Sequence, residues 1–286
     1  MHERVRTWPH VESQIKQWLE VDGYVLTVEP HPEPPEFAVK AQVLRDISRD
    51  SDMLVLIGDI LQNARSALDH MAFALGNAGA SGGWMDEKTA TATMFPVIGD
   101  VDSDGFFGRG PDNFAAAAKR QLATVAGPAR AVIERLQPYY VGESVWRSEP
   151  LWILHELARY DRHRFFHLTA VKTGHLEPDP ALNRNVKIEA LCTESGGFFP
   201  EWDEEDGVEI PTVIARVTVH PADPKRDMSI HFRGALQIEF DADGLPESIE
   251  RATEGTPIDL VLRRLVSDVR RTLSELVPFL PGDPQW

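Results

Sequence analysis

The side chains best suited to chemistry lie in two stretches of this chain, and the first is residues 58–70. Apolar residues recur there every three or four positions, which predicts a helix with one apolar side. The opposite side carries a polar stripe of small and ionisable residues: Asp59, Asn63, Ser66 and His70, with Asp69 at its edge. Asn and Ser compete for backbone hydrogen bonds and are poor choices for a helix interior. We therefore expect a functional site here, and the alternative is a solvated face with local hydrogen bonds.

The second stretch, residues 151–171, also has helical periodicity and is predicted to be one helix. Its ionisable residues are His155, Glu156, Arg159, Asp161, Arg162, His163, Arg164 and His167. Asp161 falls in the middle of the apolar stripe, where an unpaired carboxylate costs on the order of several kcal/mol. We expect it to meet a cation or several donors, with Arg65 and His70 as partners if the two helices pack. The alternative is that this edge of the helix faces water.

A metal site is a further alternative on the second helix. Glu156, His163 and His167 fall within roughly 40° of one another on an ideal helix. A His pair four residues apart, together with a carboxylate, can bind zinc or iron. The metalloprotease pattern is not met, because Arg159 stands where that pattern needs a second His. We expect no metal and no cofactor, and these three residues remain the alternative.

Composition limits the function classes. The 286 residues are 42% hydrophobic and carry a formal net charge of −16, which argues against broad binding to nucleic acid or to an anionic membrane. No window approaches ~18 uninterrupted apolar residues, the length that a membrane-spanning helix needs. The N-terminus lacks the apolar core of a signal peptide, and a single cysteine, Cys192, excludes an internal disulfide framework. We therefore expect a cytoplasmic protein without membrane contact.

The periodicity of apolar residues along the chain predicts an α+β fold that positions these residues. It is mainly a helical bundle, with an antiparallel β-sheet. About five helices are expected, in residues 1–21, 51–79, 111–172 and 256–280. Period-two alternation predicts strands in residues 24–44, as a hairpin with a proline-rich loop, and in residues 186–240. The N-terminal hairpin and the C-terminal strands are expected to share one sheet. Because strands from both ends of the chain would then close over its middle, we predict a single domain, residues 1–286.

Finer features predict where these elements begin and end. Residues 80–110 are expected to be an extended crossing, and Gly127-Pro128 is expected to break the helix between residues 113 and 137. The last helix is predicted to have Thr256 as N-cap and Pro257 as its first residue. Its predicted apolar stripe is Ile258, Leu262, Leu265, Val269, Leu273 and Leu276.

Five segments together resemble a set of uncharacterised bacterial and phage proteins. The segments are residues 58–70 (Gly-Asp-Ile-Leu-Gln-Asn-Ala-Arg-Ser-Ala-Leu-Asp-His), Phe95-Pro96, residues 136–139 (Leu-Gln-Pro-Tyr), Leu151-Trp152 and residues 161–164 (Asp-Arg-His-Arg). Proteins of that set share a segment like GDxLHNLRSALDH and a later DKHR. This chain departs from the pattern at Gln62, where His is usual, and at Arg162, where Lys is usual. The resemblance covers most of residues 1–175 and implies no established activity.

Residues 65–70 also resemble the signature of HEPN domains, an Arg followed after four to six residues by a His. HEPN domains are helical bundles, often dimeric, and many are metal-independent ribonucleases of toxin or antiviral systems. The resemblance implies that His70 is a general acid/base at a 2′-hydroxyl or leaving oxygen and that Arg65 stabilises phosphate charge. Ser66 matches the polar residue that usually follows the Arg. On a straight helix Arg65 and His70 point roughly 140° apart, so long side chains or a two-fold partner would have to bring them together.

Three functions are open from the sequence. The first is a HEPN-like protein, in keeping with a homodimer, that acts on RNA or a nucleotide as a metal-independent ribonuclease. Its site would comprise Asp59, Asn63, Arg65, Ser66, Asp69, His70, Asp161, Arg162, His163 and Arg164. The second is a non-enzymatic protein in which these residues form a buried polar network, with partner binding through the sheet. The third is a helical protein that binds a metal ion. The sequence does not identify a partner protein.

Overall fold

The computed structural model of this chain contains helices and antiparallel strands. The described residues are 13, 15–17, 24–30, 36–44, 51–99, 110–142, 145–161, 168–172, 177–178, 187–193, 201–202, 209–210, 212–220, 232–233, 236–240, 245, 247–253 and 255–282. The chain forms two compact units. The helical unit contains the described residues of Leu54–Phe166 and Asp241–Trp286, and the sheet unit contains those of Glu12–Met53 and His167–Phe240. That the two units form one domain stays a prediction.

Helices make up the helical unit. They are α1 (Ser51–Gly79, from Leu54 onward), α2 (Glu87–Ala92), α3 (Gly110–Gln121), α4 (Gly127–Arg135), α5 (Pro150–Asp161), α6 (Glu247–Thr253) and α7 (Ile258–Leu276). Short 3-10 turns occupy Pro138–Val141, Trp146–Ser148 and Val277–Phe279. The predicted helix over residues 51–79 is confirmed. The predicted helix over residues 113–137 is broken, but the break lies at residues 122–126, and Gly127-Pro128 begin α4 instead of interrupting a helix. Among the residues described, no helix combines the length and apolarity that a membrane span needs.

The sheet unit contains the antiparallel strands. They are β1 (Tyr24–Pro30), β2 (Glu36–Val43), β3 (Leu168–Lys172), β4 (Glu177–Pro178), β5 (Lys187–Thr193), β6 (Glu201–Trp202), β7 (Glu209–Ile210), β8 (Thr212–His220), β9 (Phe232–Arg233) and β10 (Leu236–Phe240). A four-stranded sheet has the order β1-β2-β8-β5, in which Val28 pairs with Val39 and Val39 with Ala215. Three further pairs are β3 with β10, β4 with β9 and β6 with β7. The α+β class and a sheet shared by the hairpin and the later strands are confirmed.

Helix α7 shows how the apolar pattern builds the helical core. Its buried residues are Ile258, Val261, Leu262, Leu265, Val269, Thr272 and Leu276. They recur every three or four positions, and α7 packs against α4 and α5. The predicted stripe is confirmed except at Leu273, which is half-buried. The predicted start is one residue early, because Pro257 is the N-cap, without a side-chain hydrogen bond, and the helix begins at Ile258.

The second predicted helix is shorter than its sequence pattern suggests. Helix α5 is described as far as Asp161, whereas Leu168–Lys172 is strand β3, with Leu168 opposite Phe240. The prediction of one helix over residues 151–171 is therefore wrong. Hydrogen bonding to a strand far along the chain overrides the local helical pattern, and the β-branched Thr169 and Val171 suit a strand.

The crossing after α1 contains a helix that was not predicted. Helix α2 follows Asp86, whose Oδ1 accepts from the Thr89 N–H (3.0 Å) and whose Oδ2 accepts from the Thr89 hydroxyl (2.6 Å). Asp86 is thus an N-cap, and these hydrogen bonds lower the pKa of its carboxyl. Residues 93–99 have neither helix nor strand. In the predicted N-terminal helix, residues 13 and 15–17 are helical, and the rest lies outside the described residues.

Candidate functional site

One side of α1 contacts its neighbours through polar residues and a glycine. Gly58, Gln62, Arg65 and Asp69 are spaced four, three and four residues apart, so they fall within roughly 60° of one another on the helix. We call these four residues the contact edge. They all belong to the segment that resembles the bacterial and phage set, and they lie beside the buried apolar side of α1.

The first half of the contact edge lies against the C-terminal end of α5. The Gln62 side-chain amide donates to the Ala158 carbonyl (2.8 Å) and to Asp161 Oδ2 (3.0 Å). Gly58 permits this close approach, because a Cβ there would lie 2.7 Å from Asp161 Oδ1. The expected packing of the helix that contains His70 against the helix that contains Asp161 is therefore present.

Asp161 finds a different partner from the ones that the sequence suggested. Its side chain is half-buried, and among the described residues its hydrogen-bond partner is the Gln62 amide, not Arg65 or His70. Gln62 is one helical turn from Gly58, where α5 makes its closest approach. His70 is 12 residues beyond Gly58, about 18 Å along the helix axis, so it lies too far along α1 to reach the carboxylate.

The second half of the contact edge holds the backbone of Phe95. Arg65 Nη2 donates to the Phe95 carbonyl (2.6 Å), and Asp69 Oδ1 accepts from the Phe95 N–H (2.9 Å). Arg65 and Asp69 also form an ion pair (3.0 Å). Arg65 is 6% exposed and Phe95 is completely buried. The ion pair therefore satisfies both backbone groups of Phe95, as a neighbouring strand would.

A buried glutamine holds the other end of the same segment. Gln137 Oε1 accepts from the Ile98 N–H (2.9 Å), and Gln137 Nε2 donates to the Ile133 carbonyl (2.9 Å). The Tyr139 N–H donates to the Ile98 carbonyl (3.4 Å). Sequence reasoning assigned no role to Gln137, although the segment that resembles the bacterial and phage set contains it. A buried Gln between apolar residues was the available signal, since buried polar groups need partners.

The Tyr139 side chain adds two contacts next to Gln137. Its hydroxyl donates to Glu134 Oε1 (3.3 Å), and Gly110 lies against its ring, where a Cβ would be 2.5 Å from Cγ. Burial, followed by the nearby charge of Glu134, raises the pKa of the Tyr139 hydroxyl far above its ordinary value. The hydroxyl therefore stays protonated into the alkaline range and serves as a hydrogen-bond donor to Glu134.

The predicted polar stripe lies on the outer side of α1. Asp59 and His70 are exposed, whereas Asn63 and Ser66 are half-buried. Arg65, by contrast, belongs to the enclosed contact edge. The HEPN resemblance places Arg65 and His70 in one site, but these two residues differ in their exposure to solvent. His70 is accessible, and Arg65 is enclosed by its contacts.

The remaining predicted site residues of the second stretch are Arg162, His163, Arg164 and His167, and all four lie outside the described residues. Glu156 is buried and accepts two hydrogen bonds from Arg159, at 2.6 Å and 3.2 Å, which raise the pKa of that guanidinium. Within the described part of the chain, no group of three or more His, Cys, Asp or Glu side chains could hold a metal ion. The helix proposed to carry the metal ligands does not continue to residue 168.

Comparison with known proteins assigns no family to this arrangement. No family model matches the sequence, and neither a curated protein nor a solved structure matches it significantly. The two resemblances found in the sequence therefore stay predictions. In the described residues, the contact edge carries hydrogen bonds between α1, α5 and the segment around Phe95.

Proposed function

We propose that this protein acts by binding a partner, without catalysis, and that the contact edge of α1 is a structural network. The supporting observation is the environment of Arg65. This residue is 6% exposed, donates to the Phe95 carbonyl and pairs with Asp69. A phosphate clamp must present its guanidinium to the substrate, whereas this guanidinium is buried and its Nη2 is engaged with oxygens of its own fold.

A network of this kind has a large energetic role. Hydrogen bonds to charged groups contribute about 1.5–3 kcal/mol each, and a buried group that loses its partner costs a comparable amount. Removal of Arg65 would leave the Phe95 carbonyl and the Asp69 carboxylate without the guanidinium that now joins them. Because a domain is stable by only about 5–15 kcal/mol, residues of the contact edge should control whether it folds.

The competing proposal is the metal-independent ribonuclease that the HEPN resemblance implies. In that proposal His70 is the general acid/base and Arg65 the phosphate clamp. The exposure of His70 suits proton transfer. Arg65, however, would have to leave Phe95 and Asp69 to reach the same phosphate, and a binding protein needs no such rearrangement.

Three substitutions on α1 separate these proposals. Arg65→Ala is expected to lower the free energy of unfolding, measured by urea denaturation, by about 2–4 kcal/mol. The matched control, His70→Ala at an exposed position, is expected to change it by less than about 0.5 kcal/mol. Arg65→Lys keeps the positive charge on a shorter side chain that lacks the guanidinium, and its intermediate loss of stability keeps the comparison measurable if Arg65→Ala does not fold.

The same proteins are incubated with a fluorescent single-stranded RNA, and neither the wild type nor His70→Ala is expected to cleave it. RNA cleavage by the wild type that disappears in His70→Ala, with unchanged stability, would overturn the proposal in favour of the ribonuclease. An Arg65→Ala protein as stable as the wild type would remove the structural role of the contact edge.

A further inference from the structure

The outer side of α1 carries six residues that are spaced like the seam of a coiled coil. They recur at alternate intervals of three and four positions, which is the spacing of helices that pack along their length. We call them the outer seam: Leu56, Asp59, Asn63, Ser66, His70 and Phe73. The six fall within roughly 100° of one another, on the side opposite the buried Leu61, Leu68 and Leu75. Three of them are exposed and three are half-buried.

The four polar residues of the outer seam are not used by their own fold. In the described part of the chain, their side chains make no hydrogen bond and no ion pair. The contact edge on the same helix differs, because its polar side chains bond to Asp161 and to the backbone of Phe95. Asn and Ser also carry a cost in helix propensity in a helix interior. Polar side chains at regular intervals without partners are available for contacts with a second molecule.

The outer seam is complementary to itself when two copies of α1 lie antiparallel. With a two-fold axis between positions 64 and 65, every seam residue faces the residue that lies equally far from the axis in the other copy. The facing pairs are Leu56 with Phe73, Asp59 with His70 and Asn63 with Ser66. The axis repeats each pair, so the contacts extend for about 26 Å along the helix.

Each facing pair joins side chains of matching chemistry. Leu56 and Phe73 are apolar, and their contact removes apolar surface from water near both ends of the seam. The Asp59 carboxylate accepts a hydrogen bond from the His70 imidazole, and the attraction increases when the imidazole is protonated. The central pair, an amide and a hydroxyl, has hydrogen-bond donors and acceptors on both sides.

Other arrangements of the same seam lack this match. A parallel pairing would place Asp59 against Asp59, and like charges repel. A shift of the antiparallel pair by one layer would place either Leu56 against His70 or Asp59 against Phe73, so an ionisable group would lose water without gaining a partner. The outer seam thus favours one occupant, α1 of a second copy, in one orientation and one register.

We propose that this protein forms a homodimer through antiparallel packing of the outer seams of two α1 helices. This inference rests on the proposed binding function and names a second copy of the chain as the partner. The polar pairs fix the register and weaken the association, so we expect a dissociation constant on the order of 10 µM. At about 1 µM the chain is then mostly monomeric, and the unfolding of His70→Ala at that concentration reports a single chain.

Sedimentation equilibrium of the full-length chain is expected to show this equilibrium between about 1 and 200 µM. Phe73→Ser removes the apolar pair and is expected to weaken the dimer at least about tenfold. His70→Glu sets carboxylate against carboxylate and should weaken it by a similar factor. Asp59→Lys/His70→Glu restores opposite charges and should return the dissociation constant to within about threefold of the wild-type value. The matched control is Leu260→Ala, at an exposed apolar residue on α7, which is expected to leave the dimer unchanged.

Cysteine cross-linking tests the orientation of the two helices. In a Cys192→Ser background, Asp59→Cys and His70→Cys chains with tags of different length are mixed and oxidised. The antiparallel pair places these two positions face to face, so a mixed disulfide dimer is expected. Asp59→Cys alone is the control, because its two copies would lie about 16 Å apart along the helix, beyond the reach of a disulfide.

Four outcomes would each overturn the proposal. They are a wild type that stays monomeric up to about 200 µM, a dimer that Phe73→Ser and His70→Glu leave unchanged, a double variant that does not recover, and cross-linking of Asp59→Cys alone in place of the mixed disulfide. The RNA assay and the stability of Arg65→Ala test the proposed function without reference to dimerisation. Failure of this inference and failure of the proposed function are therefore distinguishable.

Discussion

Glycine at position 58 offers the most direct test of the contact between α1 and α5. In a helix interior, replacement of Gly by Ala ordinarily stabilises a protein by about 0.5–1 kcal/mol. At Gly58 the added carbon would lie 2.7 Å from Asp161 Oδ1 and would displace that carboxylate from the Gln62 amide. We therefore expect Gly58→Ala to lower the free energy of unfolding by about 1–3 kcal/mol in urea denaturation.

The control for this substitution removes the group that the new methyl would strike. In an Asp161→Ala background, Gly58→Ala is expected to give its ordinary gain of about 0.5 kcal/mol or more. The double-mutant cycle should thus have a clear interaction energy between the two positions. An interaction energy near zero would mean that these residues do not touch in solution.

The sequence predicts which residues need polar partners better than it predicts which partners they find. Asp161 interrupts an apolar stripe, so its need for a donor follows from the sequence, and Gln62 meets that need. Arg65 has the chemistry of a phosphate ligand, yet its partner is a backbone carbonyl 30 residues away. Every residue has a carbonyl, so a side chain that bonds to one leaves no matching signal elsewhere in the sequence.

At the scale of elements, periodicity predicts the helices that bury a regular apolar side. Helix α1 has its predicted bounds, and α7 has its predicted stripe with a start shifted by one residue. The region after α5 is different, because β3 is determined by its pairing with β10. A local apolar pattern carries no information about a partner strand that lies far along the chain. The prediction therefore continued the helix into residues that form β3.

Helix α2 depends on its N-cap more than the longer helices do. It has six residues, none of them buried, so packing contributes little to it. The Thr89 N–H and hydroxyl both donate to the Asp86 carboxylate. We expect Asp86→Ala to accelerate amide hydrogen exchange at Thr89, measured by NMR, and to leave exchange at Leu68 in α1 unchanged. Equal protection of Thr89 in both proteins would contradict the cap.

The same cap has a pH dependence of defined sign. Because the hydrogen bonds from Thr89 lower the folded-state pKa of Asp86, the stabilisation is present above the ordinary Asp pKa, about 4, and is lost as the pH falls through the lowered value. The Thr89 amide shift should therefore titrate below about pH 4 in the wild type. In Asp86→Asn, which retains the cap without an ionisable group, this step should be absent.

At the scale of the whole molecule, the fold class follows from the sequence pattern, but the division into two units does not. Alternation predicts a sheet shared by the N-terminal hairpin and later strands, and the order β1-β2-β8-β5 confirms it. Each unit is assembled from separate stretches of the chain, so the chain passes from one unit to the other and back. Such interleaving arises from contacts between distant residues, which periodicity and composition do not encode.

Interleaving makes the helical unit dependent on the C-terminal part of the chain. Helix α7 supplies six buried apolar side chains and packs against α4 and α5. Each buried side chain of this size contributes about 1.5–3 kcal/mol, so removal of α7 withdraws on the order of 10 kcal/mol, which is comparable to the whole stability of a domain. We expect a chain of residues 1–240 to lose the cooperative thermal unfolding of its helices, followed by circular dichroism at 222 nm.

A matched pair in the full-length chain shows whether the loss comes from the buried side of α7 or from truncation in general. Leu262 is completely buried and Leu260 is exposed on the same helix. Leu262→Ala is expected to lower the free energy of unfolding by about 2–5 kcal/mol, whereas Leu260→Ala should change it by less than about 0.5 kcal/mol. Equal effects of the two substitutions, or a truncated chain that melts cooperatively near the full-length Tm, would mean that α4 and α5 hold together without α7. The C-terminal helix would then be an addition to the helical unit rather than part of its core.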